Sequence, residues 1–317
     1  MNHTATASPP PTTVTLREVG LRDGLQILPR VVPTTIKQQW LRRAFEAGLR
    51  HIEVGSFVPP KAMPQMADTA ELLATAAGLP GLHASVLVPN LKGAQRALAA
   101  GARSMLFPLS ASHAHSLANL KRTPDEALAE LAAIVRERDA AGGGCEVEVG
   151  ISTAFGCTIQ GRVDPAEVLR LARGVLDAGA DGLDLADTVG YADPAQVKRL
   201  VGAVQAVAGE RLVGLHFHDT RGLGAANAMA GYECGIRRFD GCVGGLGGCP
   251  HAPGASGNVA TEDLAYLFAS IGETTGVDFD ALMSLRSDIA QWLPGVPLYG
   301  NIWRAGLPAT LKEPLAA

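Results

Sequence analysis

Short apolar runs recur along the chain, separated by longer Ala- and Leu-rich segments with helical period. The runs predict strands near 14–20 (VTLREVG), 51–57, 83–89, 104–110, 145–155, 181–188, 211–219 and 238–243. The segments between them predict helices near 34–47, 65–77, 91–100, 125–141, 165–178, 194–207 and 222–234, and another at 261–272 follows the eighth strand. Helix starts are marked by Thr34, by Thr123-Pro124 and by Asp164-Pro165. The phrases EAGL, AAGA, DAGA and ECGI each put glycine between a helix and the next strand, as a helix C-cap requires.

Eight strand-then-helix units without a Rossmann glycine fingerprint predict an α/β fold of the closed (β/α)8 TIM-barrel type. A doubly wound sheet would use six or seven units and leave the rest over. The expected organisation is a disordered leader at 1–13, a barrel at 14–275 and a short helical appendage at 276–317. The leader carries three consecutive prolines, has no basic n-region and no apolar h-region, and contains no Arg.

Composition narrows the function classes. The 27 Lys and Arg against 31 Asp and Glu give −4, with no basic block, which argues against nucleic acid as a partner. No apolar stretch approaches the roughly 20 residues of a membrane span. The five cysteines lack CxxC spacing and predict a reducing, cytoplasmic setting without a disulfide scaffold or structural zinc. The 37 glycines point to tight turns or to backbone close to a ligand.

In a barrel of this kind chemistry belongs at the C-terminal strand ends, and the polar residues concentrate there. LRDGLQ (21–26) follows the first strand, Glu53 lies on the second, DLADT (184–188) ends the sixth and HFHDT (216–220) ends the seventh. His216 and His218, two apart on a strand, share a face. They are either packed core imidazoles or, with Asp23, ligands of a divalent ion; two imidazoles and one carboxylate leave open positions that suit Mg2+ or Mn2+. Arg22 and Asp23 are either a solvated loop pair or an anion-binding fork beside a metal ligand. Glu18 and Glu53, inside strands, are either site residues or buried partners of basic groups. Six Gly and two Pro crowd GGLGGCPHAPGASGN (244–258), where a loop would cover the barrel mouth. Cys249 inside it is read as a functional thiol rather than a buried inert one.

EVGLRDGLQ (18–26), IEVGSFVPPKAMPQM (52–66), LADTVG (185–190), HFHDTRGLGAANAMAG (216–231) and GGLGGCPHAPGASGNVATEDL (244–264) together resemble the hydroxymethylglutaryl-CoA lyase family. That family is part of a group of metal-dependent TIM-barrel lyases and Claisen-condensing enzymes, and the resemblance covers roughly residues 14–280. It implies that Asp23, His216, His218 and Asn258 hold a divalent metal and that Arg22 stabilises an enolate. It also implies that Glu53 and Asp187 are active-site carboxylates, that Glu18 lies near the metal and that Cys249 belongs to a mobile lid. Gly150, Thr188 and Gln26 are the expected substrate contacts. The implied reaction is retro-Claisen cleavage of an acyl-CoA substrate, by default 3-hydroxy-3-methylglutaryl-CoA to acetyl-CoA and acetoacetate, in a homodimer. Asp187, a histidine or a water is the expected base, and Arg30, Lys61 and Lys92 are the candidates for the coenzyme's phosphates.

The chain departs from the family pattern at Ile27 (Asn in the pattern), Gly150 (Tyr), Thr153 (Cys) and His251 (Tyr). Losing the tyrosine opens space near the mouth, so another branched 3-hydroxyacyl-CoA is the alternative substrate. A Claisen-condensing acyltransferase on the same barrel, which should lack the GGLGGCP loop, and a non-catalytic acyl-CoA-binding barrel are further alternatives.

Overall fold

Eight parallel strands pair in chain order and close on themselves, the eighth returning to the first. The computed structural model describes residues 13–248 and 257–311. The strands are β1 (Thr15–Glu18), β2 (His51–Ser56), β3 (His83–Leu87), β4 (Ser104–Ser110), β5 (Glu146–Ser152), β6 (Gly182–Asp187), β7 (Leu212–Phe217) and β8 (Arg238–Gly241). Helices α1 (Thr34–Glu46), α2 (Thr69–Ala77) and α3 (Leu91–Ala99) follow the first three strands. Two helices, α4 (His113–Leu120) and α5 (Pro124–Ala140), follow β4. The remaining units carry α6 (Pro165–Asp177), α7 (Pro194–Ala208), α8 (Gly224–Glu233) and α9 (Thr261–Ser270). Then come α10 (Phe279–Trp292) and a single turn, α11 (Ile302–Ala305). Among the described residues no helix is long and apolar enough to cross a membrane.

Local chemistry sets most element boundaries. Thr123 and Glu126 form a reciprocal capping box at α5, and the Asp164 carboxylate accepts the Ala166 N–H at α6. Thr34 departs from its expected capping role: it is the first residue of α1, and its hydroxyl donates to Asp68 at 2.8 Å. Gly48, after α1, has φ +92°, and a Cβ there would lie 2.0 Å from the Gly276 carbonyl, so only glycine fits. The segment after α9 lies against this corner, with Asp278 N–H donating to the Ala47 carbonyl and Trp292 6.5 Å from Trp40. Thr13 is already pinned to Thr274, while residues 1–12 lie outside the described residues.

The unpredicted helix α4 sits in the β4–α5 connection, capped by the Ser112 hydroxyl. Several predicted strands end early, two of them for reasons visible in the backbone. The first stops at Glu18 because Gly20–Gly24 winds into a π-type turn, and the fifth stops at Ser152 because Thr153 takes φ +56°.

The barrel interior departs from the usual branched apolar filling. Inward-facing Arg17 and Arg238 are meshed with Glu148, Asp184 and Asp240: Arg17 reaches Asp240 at 2.7 and 2.8 Å, Asp184 at 2.7 Å and Glu148 at 3.2 Å. Arg238 reaches Glu148 at 2.7 and 2.8 Å and Asp184 at 2.8 Å. Arg17→Met would leave three buried carboxylates facing one arginine. Breaking a buried pair typically costs ~3–5 kcal/mol, so denaturant unfolding of this variant should show a loss of that order.

Candidate active site

The π-type turn after β1 exists because the Val19 carbonyl accepts the N–H groups of Arg22, Asp23 and Gly24 together. It needs Gly20, where a Cβ would fall 2.4 Å from the Glu18 carboxylate and 2.7 Å from the Trp40 ring. Glu18 is wholly buried, lies off the cavity, and fastens three segments. Its carboxylate accepts from Gly20 N–H, Val243 N–H and the Thr261 hydroxyl (2.6 Å), and burial pushes its pKa up to about 7.

The turn delivers Arg22 and Asp23 to the barrel mouth. Arg22 Nη1 donates to Asp23 Oδ1 at 2.5 Å, and Nη2 lies 2.7 Å from Glu53 Oε2. Glu53 is thus the buried partner of the arginine and does not line the cavity. Asp23 also accepts from Gln26 Nε2 (2.9 Å) and from Asn258 Nδ2 (2.7 Å). Burial opposes its negative charge, but Arg22, the two histidines and Asn258 outweigh that and hold its pKa below the usual carboxylate range.

Facing Asp23, His216 is the next-to-last residue of β7 and His218 lies just past its end, two residues on, so both point to one face. Their Nε2 atoms approach to 3.1 Å, and His218 Nε2 is 3.8 Å from Asp23 Oδ2. Burial, with His216 next to it, lowers the His218 pKa to about 4. Asp23, His216 and His218 offer ligand atoms that all lie within 4.8 Å of one another. Asn258 joins them through a backbone bridge to His218, and its buried Oδ1 has no hydrogen-bond partner. Two imidazole nitrogens in contact, a carboxylate and an orphaned amide oxygen make a donor set that fits a hard divalent cation. Gly247 (φ +107°) lets the loop pass close by: a Cβ there would sit 2.4 Å from Asn258 Nδ2.

These groups open onto a cavity of about 370 Å³. Gln26, Gly150 and Thr188 line it, as does Gly248; Cys249 and His251 lie outside the described residues. A Cβ on Gly150 would meet only Leu106 Cδ1, at 3.8 Å, so the space beside it is open. Phe155 does not fill it; it packs against Phe217 away from the cavity. Asp187 does not line the cavity either. Its buried carboxylate accepts the N–H groups of Tyr191 (2.8 Å) and Ala192 (3.0 Å), shaping the loop after β6, and burial raises its pKa to about 6. Among the basic candidates, Arg30 bonds the Trp292 carbonyl at 3.3 Å, and Lys61 and Lys92 are exposed and do not line this cavity.

The cavity floor and one wall are built by residues that no sequence motif singles out. Arg17, Asp184 and Asp240 form the floor, and the alternation that paired His216 with His218 also turns Asp184 and Asp240 inward. His115 of α4 lines the wall, its Nδ1 2.9 Å from the Ser110 hydroxyl, which is 3.0 Å from the Thr153 hydroxyl.

The HMGL-like family model matches residues 13–289. The chain belongs to the HMGL-like family. It is 39% identical over 283 residues to the mitochondrial hydroxymethylglutaryl-CoA lyase of Bos taurus, covering 89% of this chain and 86% of that one. It is equally similar, 39% over 305 residues, to the (R)-citramalyl-CoA lyase of Chloroflexus aurantiacus, covering 92% and 95%. A solved HMG-CoA lyase from Acinetobacter baumannii, in complex with coenzyme A and 3-methylmalate, superimposes with TM-score 0.86 at 41% identity, covering 92% and 95%. This HMGL-like chain is therefore a carbon–carbon lyase, and its closed barrel matches the expectation from the strand pattern.

Proposed function

We propose that the protein cleaves a branched 3-hydroxyacyl-CoA by a divalent-metal-dependent retro-Claisen reaction, with 3-hydroxy-3-methylglutaryl-CoA as the first substrate to test. The observation that carries this reading is the convergence of Asp23, His216, His218 and the unpartnered Asn258 Oδ1 beside the Arg22 guanidinium at one cavity. A Mg2+ or Mn2+ ion held by these four residues would supply Lewis acidity that lowers the pKa of the substrate's 3-hydroxyl. A base at the cavity, a histidine or a water, takes the hydroxyl proton, C3 becomes a ketone as the C2–C3 bond breaks, and the bonding pair passes to C2 as a thioester enolate. Glu53 and Asp23 hold the Arg22 fork at the cavity edge, where it can donate to the enolate oxygen. A proton then adds to C2, giving acetyl-CoA. Cys249, one residue beyond cavity-lining Gly248, is the proposed donor.

A second substrate reading is favoured by the equal identity to a citramalyl-CoA lyase. Citramalyl-CoA carries its free carboxylate directly on C3, so the same bond cleavage yields pyruvate instead of acetoacetate. Incubating the protein and Mn2+ with a panel of 3-hydroxyacyl-CoAs, with products identified by mass, separates these substrates. Acetyl-CoA plus a ketone from at least one panel member is expected; intact thioesters throughout would remove the lyase reading.

Gly150 sets a further expectation. Each additional buried methylene contributes ~0.8 kcal/mol, so the parent should gain about fourfold in kcat/KM per carbon added at C3 until the space fills. Gly150→Tyr should shift preference back toward the methyl substrate. A parent that strongly prefers methyl, with a variant that merely loses activity, would mean that the space is not a substrate pocket.

A further inference from the structure

The strand registers place His216, Asp240 and Arg17 side by side across three neighbouring strands: His216 pairs with Asp240 between β7 and β8, and Asp240 with Arg17 between β8 and β1. The side chains continue that row. His216 Nδ1 lies 3.0 Å from Asp240 Oδ2. Arg17 grips the same carboxylate with both prongs, Nε to Oδ1 at 2.8 Å and Nη2 to Oδ2 at 2.7 Å. Asp240 is 4% exposed and Arg17 3%.

An always-charged guanidinium can only donate, so it holds both Asp240 oxygens as acceptors. Asp240 Oδ2 therefore accepts from His216 Nδ1–H, and the neutral ring carries its proton on Nδ1. The Nε2 lone pair is left bare, pointing at His218 Nε2 and the Asp23 side of the cavity. Both Asp240 oxygens are engaged, which keeps this carboxylate from competing with Asp23 for the ion.

We infer that Asp240 is the positioning residue of the metal site, fixing the Nδ1–H tautomer and the ring orientation of His216, and that Arg17 holds Asp240 in that task. The inference rests on the metal reading above. A buried ion network needs only charge balance, whereas this arrangement also predicts which ring nitrogen is free. Outer-shell carboxylates of this kind typically change metal affinity by 10–100-fold.

The test is Mn2+ titration of the metal-stripped full-length protein, followed by the electron paramagnetic resonance of free Mn2+. Asp240→Asn should weaken binding by ~10–100-fold. Glu148→Gln, which alters the same network through Arg17 and Arg238 without a contact to His216, should stay within about twofold. Equal affinities for parent and Asp240→Asn, or equal weakening in both variants, would overturn the inference while leaving the metal site standing. A parent that binds no Mn2+ would remove both. Should Asp240→Asn not fold, the ring 15N shifts of neutral His216 in the metal-free parent decide. A proton on Nδ1 is expected; a proton on Nε2 overturns the inference.

Discussion

Asp23→Ala should lower turnover by more than ~100-fold while leaving the barrel folded. Losing a group that only orients a metal ligand costs up to about 100-fold in affinity or activity, and Asp23 is the one carboxylate within the ligand cluster found among the described residues. Its removal also releases Arg22 Nη1, Gln26 Nε2 and Asn258 Nδ2, all of which converge on it. Arg22 keeps Glu53 as a buried partner when Asp23 is lost, so the barrel should still fold cooperatively, with a thermal transition below the parent's. Steady-state kinetics with saturating Mn2+, beside a thermal melt, checks both halves. Normal turnover in this variant would take Asp23 out of the site.

Arg22→Lys should reduce kcat by ~10²–10³, the usual cost of losing one preorganised donor at a developing oxyanion, although the charge is retained. The reason is geometric. Arg22 pairs with Glu53 through one prong and with Asp23 through another, and a planar fork can do this while presenting N–H groups to substrate. A lysine ammonium on a flexible stem can reach one carboxylate at a time. KM should change less than kcat, because the enolate charge exists only after the bond breaks. A lysine variant within a factor of two of the parent would place Arg22 outside the reaction.

The order of elements was legible because each strand–helix unit announces itself locally, through an apolar run, a capping residue and a glycine. Helix α4 was not. HAHSLANL has no clear apolar stripe, and its start depends on Ser112, two residues past the end of β4. The mouth residues were legible for a different reason: Asp23, His216 and His218 stand out as polar groups at strand ends. Asp240 escaped notice because FDGCV reads as one more core strand, and its partners Arg17 and His216 lie 223 and 24 residues away. Only the closure of β8 onto β1 brings Arg17 to it. Asp187 also stands out as a carboxylate at a strand end, while the N–H groups of Tyr191 and Ala192 that it accepts follow only from the turn after β6.

In the proposed reaction, one divalent ion at Asp23, His216, His218 and Asn258 makes the bond cleavage happen. The most direct test is to strip the protein with a chelator, titrate Mn2+ back, and follow acetyl-CoA release and bound Mn2+ in the same samples. Activity absent from the stripped protein and rising in step with one bound ion per chain is the predicted result. Acetyl-CoA release at the parent's rate with chelator still in excess would contradict it.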